Sequence, residues 1–247
     1  MEWVDSDGIE YTHWTTALGE SIGNRAFFGS NRERGFRPPD VPLTVTDQPQ
    51  VFLTERPAGN VIQPHFHEMP QYQIMFEGGG RIGKHPVEPI TVHYTDAYTP
   101  YGPIVAGERG LSFYTMRGKT SNGGAHYMPA SRARLVRKAG RALTAHAAVG
   151  RRAPARSTTV EELIPLTADG VHAQLCSLGP GASARVEATA LNGGRFLLVV
   201  GGSLVHEGRP FSRRSCIHLA PDDPAPELTA GDDGAQVLAL QFAPYAN

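Results

Sequence analysis

The chain has 247 residues, a length that suits one large β-domain or two small ones, each able to bury a core. Gly (28) and Pro (20) are abundant, which favours many turns and short strands over long helices. The formal net charge of −1 excludes a global electrostatic pull toward nucleic acid or an anionic membrane.

Two cysteines, Cys176 and Cys216, are too few for a disulfide scaffold, and a reducing cytoplasm is the expected compartment. The opening Met1-Glu2-Trp3-Val4-Asp5 has no basic stretch followed by an apolar one, so no signal peptide is expected. The strongest apolar run, Phe196 to Val200, falls far short of the roughly 18 residues that span a membrane. A soluble protein with no membrane partner is expected.

Residues 1–42 are mixed and aromatic-rich (Trp3, Tyr11, Trp14, Phe27, Phe28) and read as an N-terminal arm packing on a barrel. Residues 43–130 read as consecutive short strands bounded by Gly or Pro, the pattern of a sandwich or barrel. Val51 to Leu53 and Leu111 to Met116 are two of them. Tyr72 to Phe76 alternates polar and apolar before Gly78-Gly79-Gly80.

Residues 131–156 carry Arg132, Arg134, Arg137, Lys138, Arg141, Arg151, Arg152 and Arg156 with no acid. They read as a basic connector, partly helical around Arg132 to Ala148. No helix-turn-helix or aromatic stacking motif accompanies the charges, so no nucleic-acid partner is expected. The acidic Asp222, Asp223, Glu227, Asp232 and Asp233 could offset them.

Residues 157–247 repeat the strand pattern, with Val171 to Leu178, Phe196 to Val200 and Val237 to Phe242. Gly59 and Gly181 each open a segment that ends in a strand and a Gly pair, at Gly78 and Gly201. Strands in the same order at a spacing of roughly 100 residues argue for duplicated domains.

The stretch Gly59 to Gly78 carries the chemistry. Positions two apart in a strand share a side, so His65 and His67 would project together. Neutral imidazoles are good ligands for Fe, Mn, Ni, Cu or Zn. Gln71 could re-enter from the next strand with a side-chain oxygen, and Gln73 follows two residues later. No nucleophile elbow, P-loop or CxxC motif is present.

The spacing resembles the cupin superfamily. Its first motif reads Gly, five residues, His-x-His, three or four residues, Glu, six residues, Gly. Here Gly59, His65-Phe66-His67, Gln71 and Gly78 fit every spacing, with Gln in place of Glu. The second motif, Pro-x-Gly, two residues, His, is similar to Pro100-Tyr101-Gly102-Pro103-Ile104-Val105, with Val105 in place of the fourth ligand. The likeness covers about residues 45–117 and reaches 171–243 through the repeat. There the His positions fall near Glu187 and Thr189, which implies a second barrel without metal.

The resemblance implies an all-β chain with two cupin-type β-barrel (jelly-roll) domains in tandem, a homodimer by analogy. It implies a divalent transition metal, iron first, held by His65, His67 and Gln71. Gln73, His93 and Tyr101 would then act on a small-molecule substrate, with His93 preferred over His85 as a replacement ligand. Arg117 and Tyr101 could orient an anionic group, and His126 could reach the pocket from a loop. Gln brings no negative charge, so the ion would be held more weakly than by Glu. The expected activity is metal-dependent, either dioxygenase-like or Lewis-acid isomerase or lyase chemistry. A metal-free barrel that binds an organic ligand is the alternative.

Overall fold

The computed structural model describes all residues except 16–18, 30–40, 137–138, 151–156 and 246–247. It is built almost wholly of strands, and the chain divides into two compact units, Glu10–His146 and Met1–Ile9 with Ala147–Asn247. No helix among the described residues is long and apolar enough to cross a membrane.

In the first unit the main sheet runs, edge to edge, Ala142–His146, Thr91–Thr95, Gln71–Ile82, Ile104–Arg117, Gln50–Arg56, Ser21–Phe28 and Tyr11–Thr15. All neighbours are antiparallel. Alternation sorts the side chains. Tyr72, Ile74, Val92, Tyr94, Tyr114 and Met116 take one face and are buried. The opposite face carries Gln71, Gln73, Met75, Thr91, His93 and Thr95, matched across the strands by Phe113 and Thr115. That second face is polar at one end. At the other it joins an apolar cluster of Met75, Ile82, Tyr101, Ile104, Leu111 and Phe113.

One edge is fastened by an ion pair. The Arg141 guanidinium reaches the Asp96 carboxylate at 2.9 and 3.0 Å, the Arg141 backbone N–H adds a third bond, and Tyr94 donates from below. Burial raises the Asp96 pKa, but these donors outweigh it and hold the carboxyl below its usual range. Replacing Asp96 by Ala is expected to cost about 2 kcal/mol, because a half-buried guanidinium then loses its acceptors. Urea denaturation should show this as a lower midpoint at unchanged slope.

The second unit repeats the scheme. Its sheet runs Glu2–Val4, Cys216–Leu219, Arg195–His206, Glu227–Gln241, His172–Leu178 and Thr158–Ile164. Here the inner positions are aliphatic: Cys176, Leu178, Leu197, Val199, Ile217, Leu219, Val237 and Ala239 pack into one cluster. These side chains pack that stretch of the inner face with hydrocarbon.

Three expectations change in detail. The residues read as one N-terminal arm divide between the units. Glu2–Val4 is an edge strand of the second, in register with Cys216–His218, whereas Tyr11–Thr15 and Ser21–Phe28 extend the sheet of the first. Trp3 fixes the edge strand by stacking on His206 at 4.0 Å and against Phe211 at 4.7 Å.

Among the described residues, the helix expected around Arg132 to Ala148 is not formed. Arg132–Arg134 makes a single 3-10 turn, and Ala142–His146 is a strand whose exposure alternates residue by residue. Pairing with Thr91–Thr95 overrides local helix propensity there. Arg137, Lys138, Arg151, Arg152 and Arg156 lie outside the described residues.

The repeat is also offset by one residue from the sequence reading. Gly78 corresponds to Gly202, not Gly201: both have positive φ, and both lie tightly against a carbonyl, of Gly110 and Gly234 respectively.

Candidate functional site

The site is set by the strand register. Thr95 faces Gln71, His93 faces Gln73, and Thr115 faces Gln73 from the other side. Arg117 faces Gln50 on the next strand and Thr144 faces His93 on the edge strand. Residues opposed in this way share a face, so Gln50, Gln71, Gln73, His93 and Arg117 all point inward. The short His65–Phe66 strand then brings in the His-x-His segment, tied by mutual backbone bonds between His65 and Tyr101. The His65 and His67 rings lie 5.1 Å apart, and the Tyr101 ring is 4.6 Å from that of His65.

Arg117 occupies the middle of this group. Its Nε and Nη2 donate to Gln71 Oε1 at 3.1 and 2.8 Å. Nη1 donates to Gln50 Oε1 at 2.6 Å, and Nη2 also reaches His67 Nδ1 at 3.2 Å. A guanidinium only donates, so each of these atoms acts as an acceptor. Two assignments follow. The Gln71 oxygen faces Arg117, and its amide nitrogen donates to the Tyr101 hydroxyl at 2.6 Å. His67 accepts at Nδ1, so in its neutral form it carries its proton on Nε2.

His65 has the opposite tautomer. Its Nδ1 donates to the Gln63 carbonyl at 2.8 Å, which leaves a lone pair on Nε2. Burial first, then Arg117, drive the His67 pKa well below its usual value, while a bond to the Gly124 carbonyl opposes. His65 is pushed down to about 4 by burial, with Arg117 and Arg56 adding to it against the Gln63 bond. Burial also lowers His93 to about 4, with His85 contributing. All three imidazoles are therefore neutral near pH 7.

Tyr101 is raised above its usual pKa by burial, and both Gln71 and Gln73 hydrogen-bond its hydroxyl. Its oxygen receives these two amides, so its own proton is free to be donated. Gln73 Oε1 is buried and has no hydrogen-bond partner. The inside of the barrel thus offers one O–H donor at Tyr101, acceptors at His65 Nε2 and Gln73 Oε1, and a guanidinium behind them.

The other expected residues fall into place around this set. His93 is on the same face, its ring 5.4 Å from Tyr101, but its nitrogens bond Thr144 Oγ1 at 2.8 Å and Thr95 Oγ1 at 3.0 Å. His85 is exposed and lies at the start of the His85–Val87 strand, paired with Ile82. Val105 pairs with Val61 and Arg81. His126 is buried against Phe66 at 5.0 Å and 3.4 Å from the Glu68 carboxylate. Gln50 was not anticipated. Nothing in its local sequence marks it, and only the cross-strand register puts it opposite Arg117.

The donor set can be tested against the metal that the cupin spacing implies. Among the described residues, no group of three His, Cys, Asp or Glu is placed to hold an ion. Of the three expected ligands, Gln71 has its oxygen bonded twice by Arg117 and His67 accepts from it at Nδ1. Only His65 presents an open lone pair. As arranged, His65, His67 and Gln71 do not fit a divalent ion, and the fixed charge among them is already positive.

The second unit carries the same pair reversed. Arg195 stands at the position of Gln71, and Gln241 stands opposite it at the position of Arg117. Arg195 donates to the Val186 carbonyl. Gln241 holds the loop after it, accepting from the Thr189 backbone N–H at 2.9 Å and donating to the Leu191 carbonyl at 2.9 Å. Glu187 and Thr189, the His-x-His counterparts expected from the sequence, lie outside any strand, and with the offset set by Gly202 the counterparts are Thr189 and Leu191, also outside any strand. In this barrel the pair ties loops to the sheet.

No family model and no curated protein matches the sequence. Solved structures do resemble the fold. A candidate dioxygenase from Nostoc punctiforme aligns over 100% of this chain and 84% of its own, at 9% identity and a TM-score of 0.62. Bacillus subtilis oxalate decarboxylase, described with Mn(II) centres, aligns over 100% and 78% at 11% identity and 0.59. An Escherichia coli pirin in complex with nickel(II) aligns over 99% of both chains at 15% identity and 0.57. At these identities the likeness establishes the fold: two cupin-type barrels in one chain.

Proposed function

We propose, from the two-barrel cupin fold, that the first barrel binds a small hydroxy-carboxylate and that Arg117 supplies the positive charge there. The observation that carries the reading is the Arg117 guanidinium bonded to His67 and Gln71, two of the three positions from which a metal would be held. A buried cation favours an anionic group nearby, since its field is poorly screened inside the barrel. Gln73 Oε1 and His65 Nε2 seek a donor, which a hydroxyl supplies, and the Tyr101 hydroxyl can donate in return. A buried acceptor left unmatched is costly, so a ligand without the hydroxyl would bind less well.

The test is thermal stabilisation by lactate, malate and tartrate, beside elemental analysis of untagged protein. At a ligand concentration about 100 times its Kd, stabilisation of roughly 2.7 kcal/mol is expected. Tyr101→Phe should weaken the same ligand roughly 10-fold or more by removing one buried hydrogen bond. Near-stoichiometric metal that is lost in His65→Ala would sink this reading.

A second reading, metal-dependent oxidative or Lewis-acid chemistry, draws on the neighbours that hold manganese or nickel and on the closeness of the His65 and His67 rings. It requires the Arg117 side chain to withdraw from both ligands. Metal retention in the wild-type protein is the result that would favour it.

A further inference from the structure

We infer that Arg117 is what closes the His65–His67–Gln71 group to divalent ions, so that its removal creates a metal site in a barrel that otherwise refuses one. This rests on the reading of the first barrel given above and names the residue that enforces it.

Three features of one side chain point the same way. The first is occupancy of lone pairs. Gln71 Oε1 receives two guanidinium bonds and His67 Nδ1 receives a third. The second is the tautomer. With Nδ1 accepting, neutral His67 must place its proton on Nε2, and a protonated nitrogen cannot ligate. His65 shows the alternative, with Nδ1 donating to Gln63 and Nε2 left open. That is the outer-shell arrangement that prepares an imidazole to bind metal. The third is charge. The Arg117 guanidinium lies 3.2 Å from His67 Nδ1 and 2.8 Å from Gln71 Oε1, and a fixed positive charge at that distance opposes a divalent cation.

Removing the guanidinium reverses all three. Gln71 regains a free oxygen, and His67 Nδ1, no longer accepting from Arg117, can carry the ring proton instead of Nε2. Both histidines then present Nε2 lone pairs, with the Gln71 amide oxygen as a third donor. The set is two imidazoles and one neutral oxygen, a combination suited to nickel or zinc.

The experiment compares wild type, Arg117→Met and Arg117→Gln, each also with His65→Ala, by equilibrium dialysis against Ni(II) followed by elemental analysis. Circular dichroism checks folding. Wild type should retain below about 0.1 equivalent. The Arg117 variants should approach one equivalent, with roughly a 100-fold gain in apparent affinity, the upper size of outer-shell effects on metal binding. Adding His65→Ala should abolish the gain. A folded Arg117 variant that gains no nickel overturns the inference but leaves the hydroxy-carboxylate reading intact. Nickel retained equally by wild type overturns both.

A measurement on wild type alone guards against variants that fail to fold. Nitrogen-15 NMR of the imidazoles should show His67 protonated at Nε2 and His65 at Nδ1. The same tautomer at both histidines would overturn the inference.

Discussion

Between pH 6.5 and pH 4 the first unit is expected to lose several kcal/mol of stability. His65 and His93 each titrate near 4 in the folded protein, against 6.5 for the free side chain, and His67 is shifted the same way. In this window the unfolded chain binds protons that the folded chain refuses. Stability therefore rises with pH. It is complete above about 6.5 and is lost as pH falls toward 4, at about 1.4 kcal/mol per pH unit for each histidine. His65 and His93 together contribute about 7 kcal/mol over the full range.

The carboxylates do not confuse this window. Asp96 and Asp223 have folded pKa values below their ordinary 3.8, so their contributions fade only at lower pH. His218 in the second unit is lowered mainly by burial and adds in the same direction. Urea midpoints taken near pH 7 and pH 5 would measure the effect, and His93→Gln should remove about one proton from the slope. A midpoint that does not move between those two pH values would mean that the imidazoles are hydrated, not buried.

Gly78→Ala and Gly202→Ala should each destabilise the protein by roughly 4 kcal/mol, at the extreme of single substitutions. Both glycines have φ in the left-handed region, +78° and +63°. A methyl at either would press into a backbone carbonyl, that of Gly110 or of Gly234, and neither carbonyl can rotate away as a side chain could. Strain and overlap therefore add. These positions coincide with irregularities in strand pairing, between Ala106 and Leu111 in one barrel and between Gly202 and Leu204 in the other. A thermal midpoint lower by roughly 10 °C or more is expected. Hydrogen exchange would localise the loss: Gly78→Ala should expose amides of Gln71–Ile82 and Ile104–Arg117, and Gly202→Ala those of Arg195–His206 and Glu227–Gln241. Wild-type protection in both variants would show that the strands bend without needing glycine.

Much of the fold was legible because alternation and glycine are local signals. Tyr72 to Phe76 and Leu111 to Met116 announced strands, and Gly59 and Gly78 fixed where the first motif begins and ends. The Ala142–His146 strand was hidden by its helix-favouring residues. Only the partner strand, about fifty residues earlier in the chain, reveals its state. Spacing likewise brought His65, His67, Gln71 and Tyr101 into one group. It could not reveal what Arg117 does to them. That depends on a register between strands separated by tens of residues, and on which nitrogen of an imidazole a guanidinium meets. The motif spacing fixes the backbone positions of ligands, whereas lone pairs are fixed by neighbours that no motif contains.

The edge strand at Glu2–Val4 makes the second unit discontinuous along the gene. Its first nine residues are separated from the rest by the whole of residues 10–146. In chain topology this is one barrel inserted into another rather than two barrels placed in series. During synthesis the opening residues emerge first, yet Glu2–Val4 must wait for Cys216–Leu219 before it has a partner. The inserted barrel, contiguous in sequence, can pair its strands while the ribosome is still translating the other. No single cut therefore yields two complete domains. A fragment begun at residue 147 would expose the Cys216–Leu219 edge, and a fragment ended at residue 146 would carry nine residues with nothing to join.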